Sequence, residues 1–263
     1  MSPFVSRIVV GALLLPLVLG LVWLGGWWLF GLALAGGLLA LHELYGMSRG
    51  LRPIVLGGYA GLVATLLGAE LGGPAWVLGG VLATIPASLL VFFVSSARQN
   101  AVAGFATTML GVAWVGGGLS LLMLLRDIPV DGRLLVYATL LAVFADDTIA
   151  FLVGRTVGRH RLAPAISPAK SWEGFLAGTL AGVGVAFFAL YEQDVLTTGE
   201  ALVLGLVIAL AATLGDLFES AVKRDLAAKD SGRLLAGHGG VLDRLDSLLW
   251  AGPAAYFTLL ALL

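Results

Sequence analysis

Residues 216–246 hold five of the 15 Lys/Arg and six of the 16 Asp/Glu in the chain, between two strongly apolar segments. An Asp at the centre of a membrane span costs roughly 2.5–3.5 kcal/mol, so charge this dense beside apolar sequence needs either water or a use. At about 100° per residue, Asp216, Glu219, Ser220 and Lys223 fall on one face of a helix. Asp243 and Asp246 form a second i,i+3 pair where the last segment begins, and His238-Gly239-Gly240 stands between the two pairs. Glycine lets backbone approach a ligand closely. Paired carboxylates with interspersed Lys, Arg and Gly therefore suit a site for a metal ion and phosphate. The plainer alternative is a solvated cytoplasmic loop.

A second polar stretch, GRTVGRHRLAPAISPAKSWEG at 154–174, follows a segment carrying Asp146 and Asp147. Its Arg155, Arg159, His160 and Arg161 read as a positive cytoplasmic anchor. Ser167-Pro168 is a turn or cap signal, and Ser171 with Glu173 marks the start of the next helix. Lys170 and that helix N-terminus both suit an anion, as phosphate is commonly held. An ordinary helix cap beside a surface lysine explains the octapeptide equally well. His42, Glu43 and Tyr45, near the end of another apolar segment, fit interfacial anchoring or structural hydrogen bonding better than catalysis.

The elements that must position these groups are membrane helices. The 263 residues are 59% hydrophobic and 12% charged, with a mean hydropathy of +1.01, about half the charge of a soluble domain. With no cysteine in the chain, disulfides, thiol catalysis and Cys-ligated zinc are excluded. No cleavable signal peptide is evident, because the first apolar run leads directly into another span. The 37 glycines are spread through apolar runs, as close helix packing in a bilayer requires. At about 20 apolar residues per span, segments fall near 8–24, 27–46, 54–70, 75–95, 101–125, 133–153, 172–191, 201–222 and 247–263. The fold class is thus an all-α integral membrane protein of about nine transmembrane helices. With the N-terminus cytoplasmic, 13 of the 15 Lys/Arg lie inside and only Arg126 and Arg133 outside. The C-terminus is then outside, and the polar site lies at the cytoplasmic ends of the later helices. Two regions are expected: 1–130, a scaffold of N-terminal helices suited to dimer contacts, and 131–263, the catalytic part.

The stretch from Ser220 to Asp246 resembles the signature of the CDP-diacylglycerol synthases, or phosphatidate cytidylyltransferases. Its matching elements are Ser220-x-Val222-Lys223-Arg224, Lys229-Asp230 and His238-Gly239-Gly240-Val241-x-Asp243-Arg244-Leu245-Asp246. SPAKSWEG is similar to the family's Ser-Pro-x-Lys-Thr-x-Glu-Gly block with Ser171 in the Thr place, and Asp147-Thr148-x-Ala150 to its Asp-Ser/Thr-x-Ala-Tyr block. The resemblance is close over roughly residues 140–250. Departures are Ala236 where Pro, Gly or Ser is usual, Phe151 in the Tyr place and Ile149 in a Gly place; none removes a charge.

The resemblance implies an enzyme that joins CTP and phosphatidate into CDP-diacylglycerol and pyrophosphate. It implies Mg²⁺ held by Asp216 and Asp243, with Asp147 and Glu219 as further candidates, and a second, monovalent cation such as K⁺. Ser167, Lys170, Ser171, Ser220, Lys229 and Arg244 would bind substrate phosphate. Lys223 and Arg224 would stabilise charge, Asp246 would orient cations or bases, and His238, Gly239 and Gly240 would approach CTP. A homodimer in a bacterial cytoplasmic (inner) membrane, its site facing the cytoplasm, is implied, with no nucleic-acid partner. Two rivals remain in view. A related CTP-dependent enzyme acting on a polyprenyl or other lipid would share the nucleotide and metal residues. An ion-coupled transporter would use Asp147, Asp216 and Glu219 as coupling carboxylates, although these acids cluster at one membrane face and no inverted repeat is visible. A non-catalytic scaffold would have no reason to retain the full set of ligands.

Overall fold

The computed structural model describes residues 3–95, 100–191, 193, 195–232 and 239–263, with residues 3–13 as backbone only. Its long helices are α1 (Pro3–Leu24), α2 (Gly26–Met47), α3 (Val55–Gly72), α4 (Pro74–Val94), α5 (Ala101–Arg126), α6 (Gly132–Thr156), α7 (Trp172–Leu190), α8 (Thr198–Asp225) and α10 (Leu248–Leu262), with a single-turn α9 (Leu242–Leu245) before the last. Among the described residues, eight helices are long and apolar enough to cross a membrane, α9 and α10 counting as one span. Every expected segment is a helix, with ends displaced by a few residues.

The weakest sequence boundary, Gly25-Gly26, is a genuine break. Gly25 and Gly26 have φ of 68° and 48°, a left-handed geometry that glycine adopts without steric cost, so α1 stops at Leu24 and α2 begins anew. Gly73, at φ 77°, turns α3 into α4, and Pro74 opens α4 at a position where a missing N–H costs nothing.

Two compact units emerge, one of residues 1–124 with 226–245 and one of residues 125–225 with 246–263. In the first, α3 and α4 pack through small residues at helical spacing. Gly57 faces Ser88, Gly61 faces Thr84, Gly68 faces the Trp76 carbonyl, and Gly80 faces the Thr65 backbone. Lipid offers no hydrophobic drive for helices to associate, so close backbone approach of this kind supplies the attraction. Gly79 and Gly80 isolate the effect: a Cβ on Gly80 would stand 2.5 Å from Thr65 Cα, whereas one on Gly79 would meet nothing within 4 Å. Gly80→Ala is expected to lower stability by about 1–3 kcal/mol and Gly79→Ala to leave it unchanged or slightly higher. Thermal unfolding of the two variants in detergent checks this, and equal Tm values would refute the packing account.

In the second unit, α7 presents Gly174, Gly178 and Gly182 to α6, where added Cβ atoms would meet Ala150 O at 2.6 Å, Asp146 O at 2.7 Å and Ala142 O at 3.2 Å. Asp131 caps α6, accepting from Leu134 N at 3.3 Å. Between α6 and α7 lies an antiparallel hairpin of β1 (Arg161–Ala163) and β2 (Ser167–Ser171), with Arg161 opposite Ser171 and Ala163 opposite Ser167.

Candidate active site

The second unit gathers one polar cluster where β2, α6, α8 and the start of the last span converge. Lys170, the penultimate residue of β2, places Nζ 2.5 Å from Asp216 Oδ2 on α8. Ser220, one turn further along, donates to Asp216 Oδ1 at 3.3 Å, and Lys223 donates to the buried Glu219 at 2.6 Å. The helical face expected from spacing is therefore real, and its i,i+4 pairs are made. Asp146, Asp147 and Asp246 all lie within electrostatic reach of Asp216. Asp246 also binds the backbone N–H of Ser247 at 2.7 Å. Asp146 is fully buried; Thr213 donates to its Oδ2 at 3.4 Å, while Oδ1 has no hydrogen-bonding partner among the described residues.

The hairpin that carries Lys170 is itself held by polar contacts. Ser171 caps α7 by accepting from Gly174 N at 3.1 Å, as the sequence indicates. Glu173 reaches backwards instead, accepting from Arg159 N at 3.1 Å and from His160 Nδ1 at 2.6 Å. Arg224, at the end of α8, donates through Nε to Ile166 O in the hairpin turn at 3.3 Å. Ser167 begins β2 as a half-buried residue facing Ala163 across the ladder. Lys170 thus sits on a braced arm, so that fewer rotamers need freezing to hold its ammonium at Asp216.

The first unit holds the other half of the signature. Asp243, on α9, accepts from Gly240 N at 2.7 Å and from Ser231 N at 3.1 Å, and Ser231 Oγ accepts from Asp243 N at 3.3 Å. Glu43 of α2, 8% exposed, accepts from Ser231 Oγ at 3.1 Å, Val241 N at 3.0 Å and Leu242 N at 2.9 Å. This confirms structural hydrogen bonding for its trio: Tyr45 donates to Thr108 O at 3.1 Å and His42 shares a hydrogen bond with Tyr59 Oη at 3.1 Å. A carboxylate at a helix end is legible from sequence, but its partners 188 to 199 residues away are not. Gly239 has φ 81°, and a Cβ there would run into Asp243 Oδ2. Lys229 and Arg244 are exposed, and His238 and Ala236 lie outside the described residues. A cavity of about 770 Å³ opens beside Glu43, lined also by His42, Arg49, Ser231 and Gly232.

The donor chemistry fits a hard divalent cation. Asp216, Asp147, Asp146 and Asp246 offer only oxygen, and one buried oxygen of Asp146 is unpartnered. Among the described residues no group of three or more acids or histidines forms a ready-made cage. Mg²⁺ does not ask for one, because it is usually held by one or two carboxylates, substrate phosphate and water.

Residues 5–262 match the cytidylyltransferase family. The chain is similar to a phosphatidate cytidylyltransferase of Staphylococcus haemolyticus, 32% identical over 252 residues that cover 94% of each protein. It is also similar to proteins of that name from Mycobacterium leprae, 42% identical over 165 residues (63% of this chain, 52% of that one), and Haemophilus influenzae, 41% identical over 130 residues (48% and 45%). In these last two matches the aligned part spans about half the length of the relative.

Proposed function

This chain belongs to the cytidylyltransferase family, and on that premise we propose that it joins CTP to phosphatidate within the membrane, forming CDP-diacylglycerol and releasing pyrophosphate. The observation that carries the reading is the 2.5 Å pair of Lys170 and Asp216. It unites the two motifs singled out in the sequence, a phosphate-type lysine and a metal-type carboxylate.

In the proposed reaction an oxygen of the lipid phosphate attacks the α-phosphorus of CTP. A phosphorus–oxygen bond forms there, and the bond from the α-phosphorus to the oxygen bridging to the β-phosphate breaks, so pyrophosphate departs with that electron pair. The lipid phosphate is already ionised near neutral pH and needs no strong general base. The protein's task is then positioning and charge stabilisation. Lys170 and Lys223 offset negative charge on the phosphates, Arg224 braces the hairpin under Lys170, and Glu219 orients Lys223. Ser167, Ser171 and Ser220 add polar contacts for phosphate or for the residues that bind it.

Asp216, with Asp147, would hold Mg²⁺, which when bound neutralises charge on the phosphate oxygens. For Asp243, Asp246, His238, Gly239, Gly240, Lys229 and Arg244 the roles proposed are those that the resemblance implies. We extend the proposal to a second, monovalent cation and a homodimer. The orientation proposed is N-terminus cytoplasmic and C-terminus outside, in a bacterial inner membrane, with the site facing the cytoplasm. The distribution of Lys and Arg supports that orientation.

Pyrophosphate release by the purified chain, with CTP, Mg²⁺ and phosphatidate each omitted in turn, tests the reading. Release that needs all three, with a CDP-lipid product, is expected. Release with a polyprenyl substrate but not phosphatidate would shift the assignment to a related lipid, and no release with any lipid would overturn it.

A further inference from the structure

We propose that Glu43 is a positioning residue for the segment that carries Gly239, Gly240 and Asp243. The inference rests on the proposed reading of that segment as the part of the enzyme that meets nucleotide and metal. Glu43 lies on α2, 198 positions before Val241, yet its carboxylate is the point on which both ends of the segment converge. Oε1 accepts from Val241 N at 3.0 Å; Oε2 accepts from Leu242 N at 2.9 Å and from Ser231 Oγ at 3.1 Å. Val241 and Leu242 lead into the single turn of α9, whose first N–H groups lack intrahelical partners. Glu43 therefore serves as a helix cap supplied by another helix.

Two further observations show how closely the segment is built around this carboxylate. Added Cβ atoms on Gly232 and Gly240 would both collide with the Glu43 carboxylate, so backbone closes on it from either side of residues 233–238. Ser231 links the two acids of the clamp: its Oγ donates to Glu43, while its N–H donates to Asp243. Asp243 is thus oriented by contacts that begin at Glu43. Glu43 also lines the 770 Å³ cavity, so the clamp fixes one of that cavity's walls.

The chemistry predicts an unusual ranking of variants. Glu43 accepts at both oxygens and donates at neither, so glutamine must aim an NH₂ group at an N–H or hydroxyl that is already donating. Aspartate keeps both acceptors and the charge, with a shorter reach. Glu43→Asp should therefore be the milder change, although glutamine is the closer isostere. In the 263-residue chain, Glu43→Gln is expected to lower kcat/KM for CTP by about 10–100-fold, the scale typical of residues that orient ligands from behind. The KM for phosphatidate should stay within about twofold, and Glu43→Asp should recover a substantial part of the loss.

Hydrogen exchange of the peptide covering residues 239–246 gives a readout independent of turnover. Its protection should fall in Glu43→Gln and return in Glu43→Asp, while α3 and α4 exchange as in the parent. Unchanged exchange in Glu43→Gln overturns the proposal, as does a drop in protection throughout the first unit, which marks loss of fold. Altered exchange of the segment with unchanged CTP kinetics also overturns it. If the parent chain does not turn over CTP and phosphatidate, the proposed reaction fails. The clamp then stands or falls on exchange alone.

Discussion

Asp216→Asn is expected to lower pyrophosphate release by roughly 10²–10³-fold or more, the scale on which loss of one preorganised electrostatic group acts, while the protein stays folded. Asparagine preserves shape and one oxygen but removes the charge that would hold Mg²⁺ and that faces Lys170 at 2.5 Å. Magnitudes separate this from simple destabilisation. The Lys170 and Asp216 side chains are 25% and 29% exposed, so solvent screens the pair and its contribution to stability is about 0–1 kcal/mol. At about 2–4 °C per kcal/mol for a chain of this size, Tm should move by only a few degrees. Lys170→Met should give a comparable loss of turnover. If the pair works as a unit, the double variant will lose far less than the product of the two single effects. Near-normal turnover in Asp216→Asn would remove Asp216 from the proposed metal site.

A large structural effect is expected at Gly178, beside the polar cluster. A Cβ there would stand 2.7 Å from both Asp146 O and Asp146 Oδ1 and 2.8 Å from Ala150 Cβ. Those atoms belong to rigid α6 backbone and to a fully buried acid, so the helices must separate. Gly178→Ala is expected to cost about 1–3 kcal/mol, and Gly178→Leu to leave little folded protein. Activity should fall with stability, because α6 carries Asp146 and Asp147 to Asp216. Gly184 on the same helix is the control: a Cβ there meets nothing within 4 Å, so Gly184→Ala should hold or raise Tm by removing backbone freedom from the unfolded chain. Parallel thermal melts decide the matter, and equal Tm values for the two alanine variants would refute the account.

Much of this was legible in the sequence because a bilayer imposes one rule on every span. Some 20 apolar residues in a row leave helix as the way to satisfy the backbone in lipid, and so all nine segments were placed to within a few residues. Local chemistry was equally readable where partners lie within one helical turn, as with Asp216 and Ser220, Glu219 and Lys223, or Ser171 and Gly174. Longer-range features were not. The hairpin at Arg161–Ser171 has strands of three and five residues, too short for a period-two pattern to register, and Glu173 looked like a capping acid rather than a brace for residues 159 and 160. The π-helical turn at Val112–Gly116 carries no residue that announces it. Residues 226–245 join the unit of the first helices, and only a tertiary contact, that of Glu43 with Ser231, Val241 and Leu242, reveals why.

The distance along the chain between Glu43 and its partners sets an order of events during synthesis. Glu43 leaves the ribosome 198 and 199 residues ahead of the N–H groups it binds. Until then a carboxylate destined for burial must be kept hydrated or otherwise accommodated, because leaving it bare in an apolar setting is costly. A nascent chain arrested before Leu242 can insert most of its spans and still lack the contacts that close this segment. Completion of the clamp therefore reports that synthesis has passed Leu242.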